Sequence, residues 1–244
     1  LMDLADASLV WLAKQLTFRF LAAYRELKQL NNGRVSKVLE ALEAAVLKSA
    51  ANIAGYDENA KVVIAADVSG SMQKAISAKS KILYYDIGLM LAMLLQNRCE
   101  NVVTGMFGDV WKVINVPKKN ILSNVNEFYR REGEVGYSTN GYLVIQDLLN
   151  RGKVVDKVML FTDCQLWNSN NGTGNIANLW KQYKKLAPSA KLYLFDLAGY
   201  GNTPLNVQRD DVFLIAGWSN KIFDVLKAIE DGSNAVKMIE AIEL

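Results

Sequence analysis

From Lys61 onward the chain repeats one pattern: a short apolar run, a loop, then a longer stretch with helical spacing. The runs Lys61–Asp67, Val102–Phe107, Lys157–Thr162, Lys191–Leu197 and Val212–Ile215 are apolar without strict alternation. Strands of that kind are buried on both faces, as in parallel sheets covered by helices on either side. The stretches between them, Lys79–Asn97, Ile121–Glu132, Gly141–Asn150, Ile176–Leu186 and Lys221–Asp231, are expected to be those helices. Ile82 to Leu95 is apolar nearly all round, as suits a helix pressed against a sheet. Phe107-Gly108-Asp109-Val110 reads as a tight hairpin, which makes Val110–Val116 an antiparallel edge strand. The expected fold class is therefore α/β: a mostly parallel, Rossmann-like six-stranded sheet with helices on both faces.

The N-terminal part follows another rule. Leu9, Leu12, Leu16, Phe20, Tyr24 and Leu27 step by three or four, one stripe on a long helix. Asn31-Asn32-Gly33 should stop it, and Val35, Val38, Leu42, Val46 and Ile53 form a second stripe. Two amphipathic helices joined by a short turn make a helical hairpin, and each stripe needs a partner surface. The change of pattern near Tyr56 to Asn59 divides the chain into residues 1–57, the hairpin, and residues 58–244, the α/β domain.

The chemistry begins where the first strand stops, at Asp67-Val68-Ser69-Gly70-Ser71. A carboxylate and two hydroxyls at alternate positions give three hard oxygen donors on one loop, and Gly70 lets the backbone fold tightly. Oxygen donors of that type suit Mg²⁺, Mn²⁺ or Ca²⁺ rather than zinc or copper. Alone, the five residues fit equally a strand-to-helix turn capped by Asp67 and Ser69. Two distant segments favour the cation: the loop Gly136-Tyr137-Ser138-Thr139-Asn140-Gly141, and Asp156 to Asp163, another apolar strand ending in a carboxylate. Asp67 and Asp163 would then share the carboxyl edge of the sheet, where open α/β sheets hold ligands.

The order of a DxSxS loop, a loop threonine and a strand-end aspartate resembles the metal-ion-dependent adhesion site of von Willebrand factor A domains. That resemblance implies that Asp67, Ser69, Ser71, Thr139 and Asp163 surround one divalent cation, Mg²⁺ first with Mn²⁺ or Ca²⁺ as alternatives. Before the domain stand Phe18-Arg19-Phe20-Leu21-Ala22-Ala23-Tyr24-Arg25-Glu26 and Ala41-Leu42-Glu43-Ala44-Ala45-Val46. Followed by Asp67-Val68-Ser69-Gly70-Ser71-Met72, they resemble the C-terminal part of Ro autoantigen (TROVE) proteins. Members of that family bind small noncoding RNAs through a ring of helical repeats closed by a von Willebrand factor A domain. The resemblance implies that residues 1–57 end the repeat region, that most of the RNA-binding ring is missing, and that the chain is a piece of a longer protein.

Composition narrows the function further. There is no histidine, which excludes within this chain a Ser-His-Asp triad, a histidine base and ordinary histidine-ligated zinc. No base is evident to activate a metal-bound water or the hydroxyls of Ser69 and Ser71, so a binding site rather than an enzyme is expected. Hydrophobic residues make up 51%, far from a disordered composition. The longest apolar run, Ile87 to Leu95, is too short to span a bilayer, no secretory leader is read, and a cytoplasmic location is expected. Cys99 and Cys164 are expected to be buried free thiols. The net charge of +3 is weak, and the basic clusters Lys118-Lys119, Arg130-Arg131 and Lys181, Lys184, Lys185 read as solvated faces. Gly172-Thr173-Gly174-Asn175-Ile176-Ala177 mimics a dinucleotide loop but lacks the strand-turn-helix frame. An aspartyl-phosphate site would need a second acid where Ser69 stands.

The expected function is a non-enzymatic, cation-binding module of a Ro-like protein that binds noncoding RNA in its full-length form, with no DNA or membrane partner. The alternative is a protein–protein adaptor whose metal captures an acidic side chain of a partner, without RNA.

Overall fold

A computed structural model of the chain describes residues 18–30, 34–51, 53, 59–165, 175–201, 210–218 and 221–230. Leu9, Leu12 and Leu16 of the first stripe, Asn31-Asn32-Gly33, most of the expected boundary near Tyr56, and Gly172 to Gly174 lie outside these residues.

Two helices come first, α1 (Phe18–Lys28) and α2 (Val35–Ala51). The α/β part follows as β1 (Lys61–Asp67), α3 (Tyr84–Arg98), β2 (Asn101–Phe107), β3 (Trp111–Val113), α4 (Ile121–Arg131), α5 (Tyr142–Asn150), β4 (Lys157–Thr162), α6 (Ile176–Leu186), β5 (Lys191–Asp196), β6 (Val212–Ala216) and α7 (Lys221–Glu230). The strands form one six-stranded sheet in the order β3-β2-β1-β4-β5-β6. Only the β2–β3 pair, with Phe107 opposite Trp111, is antiparallel. β1 pairs in parallel with β2 on one side and β4 on the other.

The continuous apolar strands behave as their sequence dictates. Val62, Ile64 and Ala66 of β1 face one core with α3 and α4, while Val63 and Ala65 face the other with α5 and α6. α3 is buried from Tyr85 to Gln96, and Gly88 lets it lie close to the sheet. A methyl group at Gly88 would stand 2.9 Å from Leu197 Cδ1. The chain winds from β1 outward to β2 and β3, then returns to β4 on the other flank of β1. That reversal opens a crevice at the carboxyl ends of β1 and β4, where Asp67 and Asp163 sit.

The helical hairpin joins the first core through Leu21, Tyr24, Leu42, Val46 and Ile53. Charged groups fasten it as well. Arg25 of α1 donates to Asp86 Oδ1 at 2.6 Å and to Asn126 Oδ1 at 3.2 Å, with its guanidinium 4.9 Å from the Tyr129 ring centre. Glu43 of α2 accepts from the backbone N–H groups of Leu122 (3.0 Å) and Ser123 (2.6 Å), capping the N-terminus of α4. Arg98 Nε donates to the Ile53 carbonyl at 3.0 Å.

Two expectations need correction. The helix expected from Lys79 begins at Tyr84, because the Asp86 carboxylate accepts the Leu83 N–H at 2.9 Å and fixes the first turn there. Residues 74–83 instead form a small finger, closed by the antiparallel bridge Ala75–Leu83 and by Tyr84 N–H donating to the Lys74 carbonyl at 3.1 Å. The edge strand expected over Val110–Val116 is reduced to Trp111–Val113.

Candidate metal centre

Asp67 ends β1 and is fully buried. Its Oδ1 accepts the Ser69 N–H at 2.8 Å, and its Oδ2 accepts from Thr162 Oγ1 at 2.6 Å. Thr162 is held in turn, for the Cys164 N–H donates to the same hydroxyl at 3.1 Å. The turn after Asp67 brings Ser69 Oγ within 3.1 Å of Ser71 Oγ. Met72 N–H, bonded to the Ser69 carbonyl at 3.1 Å, starts the single 3₁₀ turn Gly70–Gln73 that carries Ser71.

Asp163 follows β4 and is buried, with Oδ1 accepting the Gln165 N–H at 3.1 Å. Its Oδ2 is buried and has no hydrogen-bond partner. Cys164, the next residue, takes the left-handed backbone with φ of 58°, an uncommon conformation for a residue with a side chain. Burial pushes the Asp67 carboxyl up to about 6, and the Asp163 charge adds to the rise, while hydrogen bonds from Thr162 and Ser69 oppose it. Among the described residues, neither acid has a lysine or arginine in ion-pair contact.

The Thr139 loop is positioned through its backbone. Gly70 N–H donates to the Tyr137 carbonyl at 3.3 Å, which ties the loop to the turn bearing Ser69 and Ser71. Asp109 of the β2–β3 hairpin accepts the Ser138 N–H at 3.1 Å, and Asn140 N–H reaches the Gly108 carbonyl at 3.2 Å. Gly136 has φ of +70°, and a side-chain carbon there would strike Asp109 Oδ2 at 2.0 Å, so this approach requires glycine.

Of the five expected residues, Asp67, Ser69 and Ser71 are joined in one hydrogen-bonded turn. Asp163 stands near enough to disturb the charge of Asp67. Thr139 reaches the group only through its loop; its hydroxyl bonds to none of the other four among the described residues. Sequence reasoning missed Thr162, Asp109 and Asp196. Thr162 left a trace, a hydroxyl closing an otherwise apolar strand. Asp109 looked like an ordinary turn residue. Asp196 ends β5 and spends both oxygens on the N–H groups of Gly199 (3.0 Å) and Gly201 (2.8 Å), so it shapes its own loop.

The donor set fits a hard cation. Two buried carboxylates with no basic neighbour are costly alone, and the bare Oδ2 of Asp163 has lone pairs to give. Among the described residues no group of three or more His, Cys, Asp or Glu side chains could hold a metal. A cation here would therefore depend on hydroxyl oxygens as well as acids, as Mg²⁺ accepts. A cavity of about 630 Å³ lies elsewhere, toward the amino ends of β1 and β2, lined by Lys61, Glu100, Asn101 and Arg151 among others. Cys99 and Cys164 are both buried and form no disulfide. Of the basic clusters, Arg131 pairs with Glu134 and Lys184 with Asp211.

Residues 61–229 match the family model of the Ro60 vWA domain. In structure the chain is similar to the Deinococcus radiodurans RO (RSR) protein, with a TM-score of 0.69 and 18% identity, over 94% of this chain and 47% of that one. The chain thus spans about half the length of that protein, and at this identity the likeness speaks for the fold. No curated protein sequence matches it. Among the described residues, no helix is long and apolar enough to cross a membrane.

Proposed function

Because the chain belongs to the Ro60 vWA domain family, we propose that it is the non-enzymatic, cation-binding module of a Ro-like protein that binds noncoding RNA in its full-length form. In this reading residues 58–244 are the A domain, residues 1–57 end a helical-repeat region, and the protein works in the cytoplasm. Asp67, Ser69, Ser71, Thr139 and Asp163 hold the metal, with Mg²⁺ the preferred ion. The observation that supports the site most is the buried, unbonded Oδ2 of Asp163 beside a second buried acid.

The bound cation would supply positive charge and an open coordination position for an anionic oxygen of a partner. The chain's own residues prepare that position. Thr162 and the Ser69 N–H fix both oxygens of Asp67, so the carboxylate does not swing. The chain has no histidine to serve as a base, and this reading gives both carboxylates of the site to the metal, so the site binds rather than turns over.

Calorimetric titration of Mg²⁺ and Mn²⁺ into the native chain and into Asp67→Ala tests the site. The expected result is binding by the native chain and a loss of at least about tenfold in the variant. Equal affinities would refute the assignment.

A further inference from the structure

We infer that the finger formed by residues 74–83 is a contact site for the phosphate backbone of single-stranded RNA. The inference rests on the RNA-protein reading for the identity of the polyanion, and on the finger itself for the place of contact.

The finger is built, not loose. Its stem is the Ala75–Leu83 bridge with Ile76 N–H on the Ile82 carbonyl at 3.0 Å, and its tip is a turn with Ser80 N–H on the Ser77 carbonyl at 3.0 Å. Ser80 Oγ accepts the Ile82 N–H at 3.0 Å and stiffens the return strand. Ile82 is buried, and Ile76, Leu83 and Tyr84 pack on the same core, so the stem is anchored. A rigid contact loses less entropy when it binds.

Its outward residues are Lys74, Ala75, Ser77, Ala78, Lys79 and Lys81, all exposed. No Asp or Glu occurs between Val68 and Tyr85. Among the described residues Lys74 and Lys79 have no acidic partner, unlike Arg131 and Lys184. Lys81 forms a solvent-exposed pair with Glu26 of α1 at 2.8 Å. The finger therefore leaves the candidate metal turn three residues after Ser71 and reaches the helical hairpin, presenting positive charge along the way. Its outward face has no large apolar or aromatic side chain. Protein interfaces need such anchors and are poor in lysine, and base stacking needs a ring. What remains is lysine and small polar residues, the chemistry of sequence-independent phosphate contact.

The test is fluorescence anisotropy of a labelled oligouridylate against the native chain, across a salt series. Two double charge reversals are compared: Lys74→Glu with Lys79→Glu on the finger, and Lys181→Glu with Lys185→Glu on α6, an equal change in net charge. The expected result is binding by the native chain that fades with salt. The finger variant should lose about tenfold at low salt, with a slope against log salt shallower by about 1.4, from about 0.7 per single-strand phosphate contact. The α6 variant should change less than about twofold, and Lys74→Arg with Lys79→Arg should bind as native. Equal losses in the two reversed variants, no loss in the finger variant, or no binding by the native chain at low salt would each overturn the inference. Mg²⁺ titration of Asp67→Ala reads the metal site separately, so either claim can fail without the other.

Discussion

The molecule buries negative charge in two places and treats it in opposite ways. At the junction of the helical hairpin with the sheet domain, Asp86 is fully buried, with Arg25 on one oxygen and the Leu83 N–H on the other. Glu43 nearby is met by two backbone donors at the start of α4. At the carboxyl edge of the sheet, Asp67 and Asp163 are equally buried, yet no basic side chain meets them among the described residues. The first arrangement is complete within the protein and serves architecture. The second leaves Asp163 Oδ2 without a partner among the described residues, which is the difference the proposed cation site rests on.

This contrast can be broken by mutation. The largest effect is expected at the completed junction. Arg25→Ala strands the buried Asp86 carboxylate and should lower unfolding stability by about 2–3 kcal/mol in urea melts, the partial exposure of Arg25 keeping it below a fully buried pair. A loss under half a unit would mean that Asp86 is not held by Arg25. Next comes Glu43→Ala, which uncaps α4 and should cost about 1 kcal/mol. An unchanged midpoint would reduce that cap to a surface contact.

The smallest effect carries the opposite sign. Asp163→Asn removes an uncompensated charge while keeping its shape, so in chelator it should be neutral or more stable by up to about 1 kcal/mol. The stabilisation that Mg²⁺ gives the native chain should vanish in the same variant. Clear destabilisation in chelator would show that Asp163 has a structural partner after all, and the contrast between the two regions would dissolve.

Much of this was legible in the sequence. The sheet announced itself because short apolar runs without alternation need cover on both faces, and the helical stretches between them supply it. The two strand-end acids followed from where those runs stop. The finger was hidden, since Lys79, Ser80 and Lys81 pass for the polar first turn of a helix that continues into the apolar run Ile82 to Leu95. Only the Asp86 carboxylate, folded back onto Leu83, sets the true helix start. The Arg25–Asp86 pair was hidden for another reason: its partners are 61 residues apart, and no local period records such a meeting. Thr162 acts through one hydroxyl that a strand pattern counts as neutral.

The two thiols acquire a practical meaning from where they lie. Cys99 belongs to the core under α3, while Cys164 adjoins the strand-end acid of β4, and each is less than 5% exposed. A buried thiol reacts with an alkylating reagent only in moments when its surroundings come apart. The native chain thus carries two internal clocks, one timing the breathing of its scaffold and one timing that of the crevice. Their ratio tells how far the crevice can open while the rest of the protein stays shut.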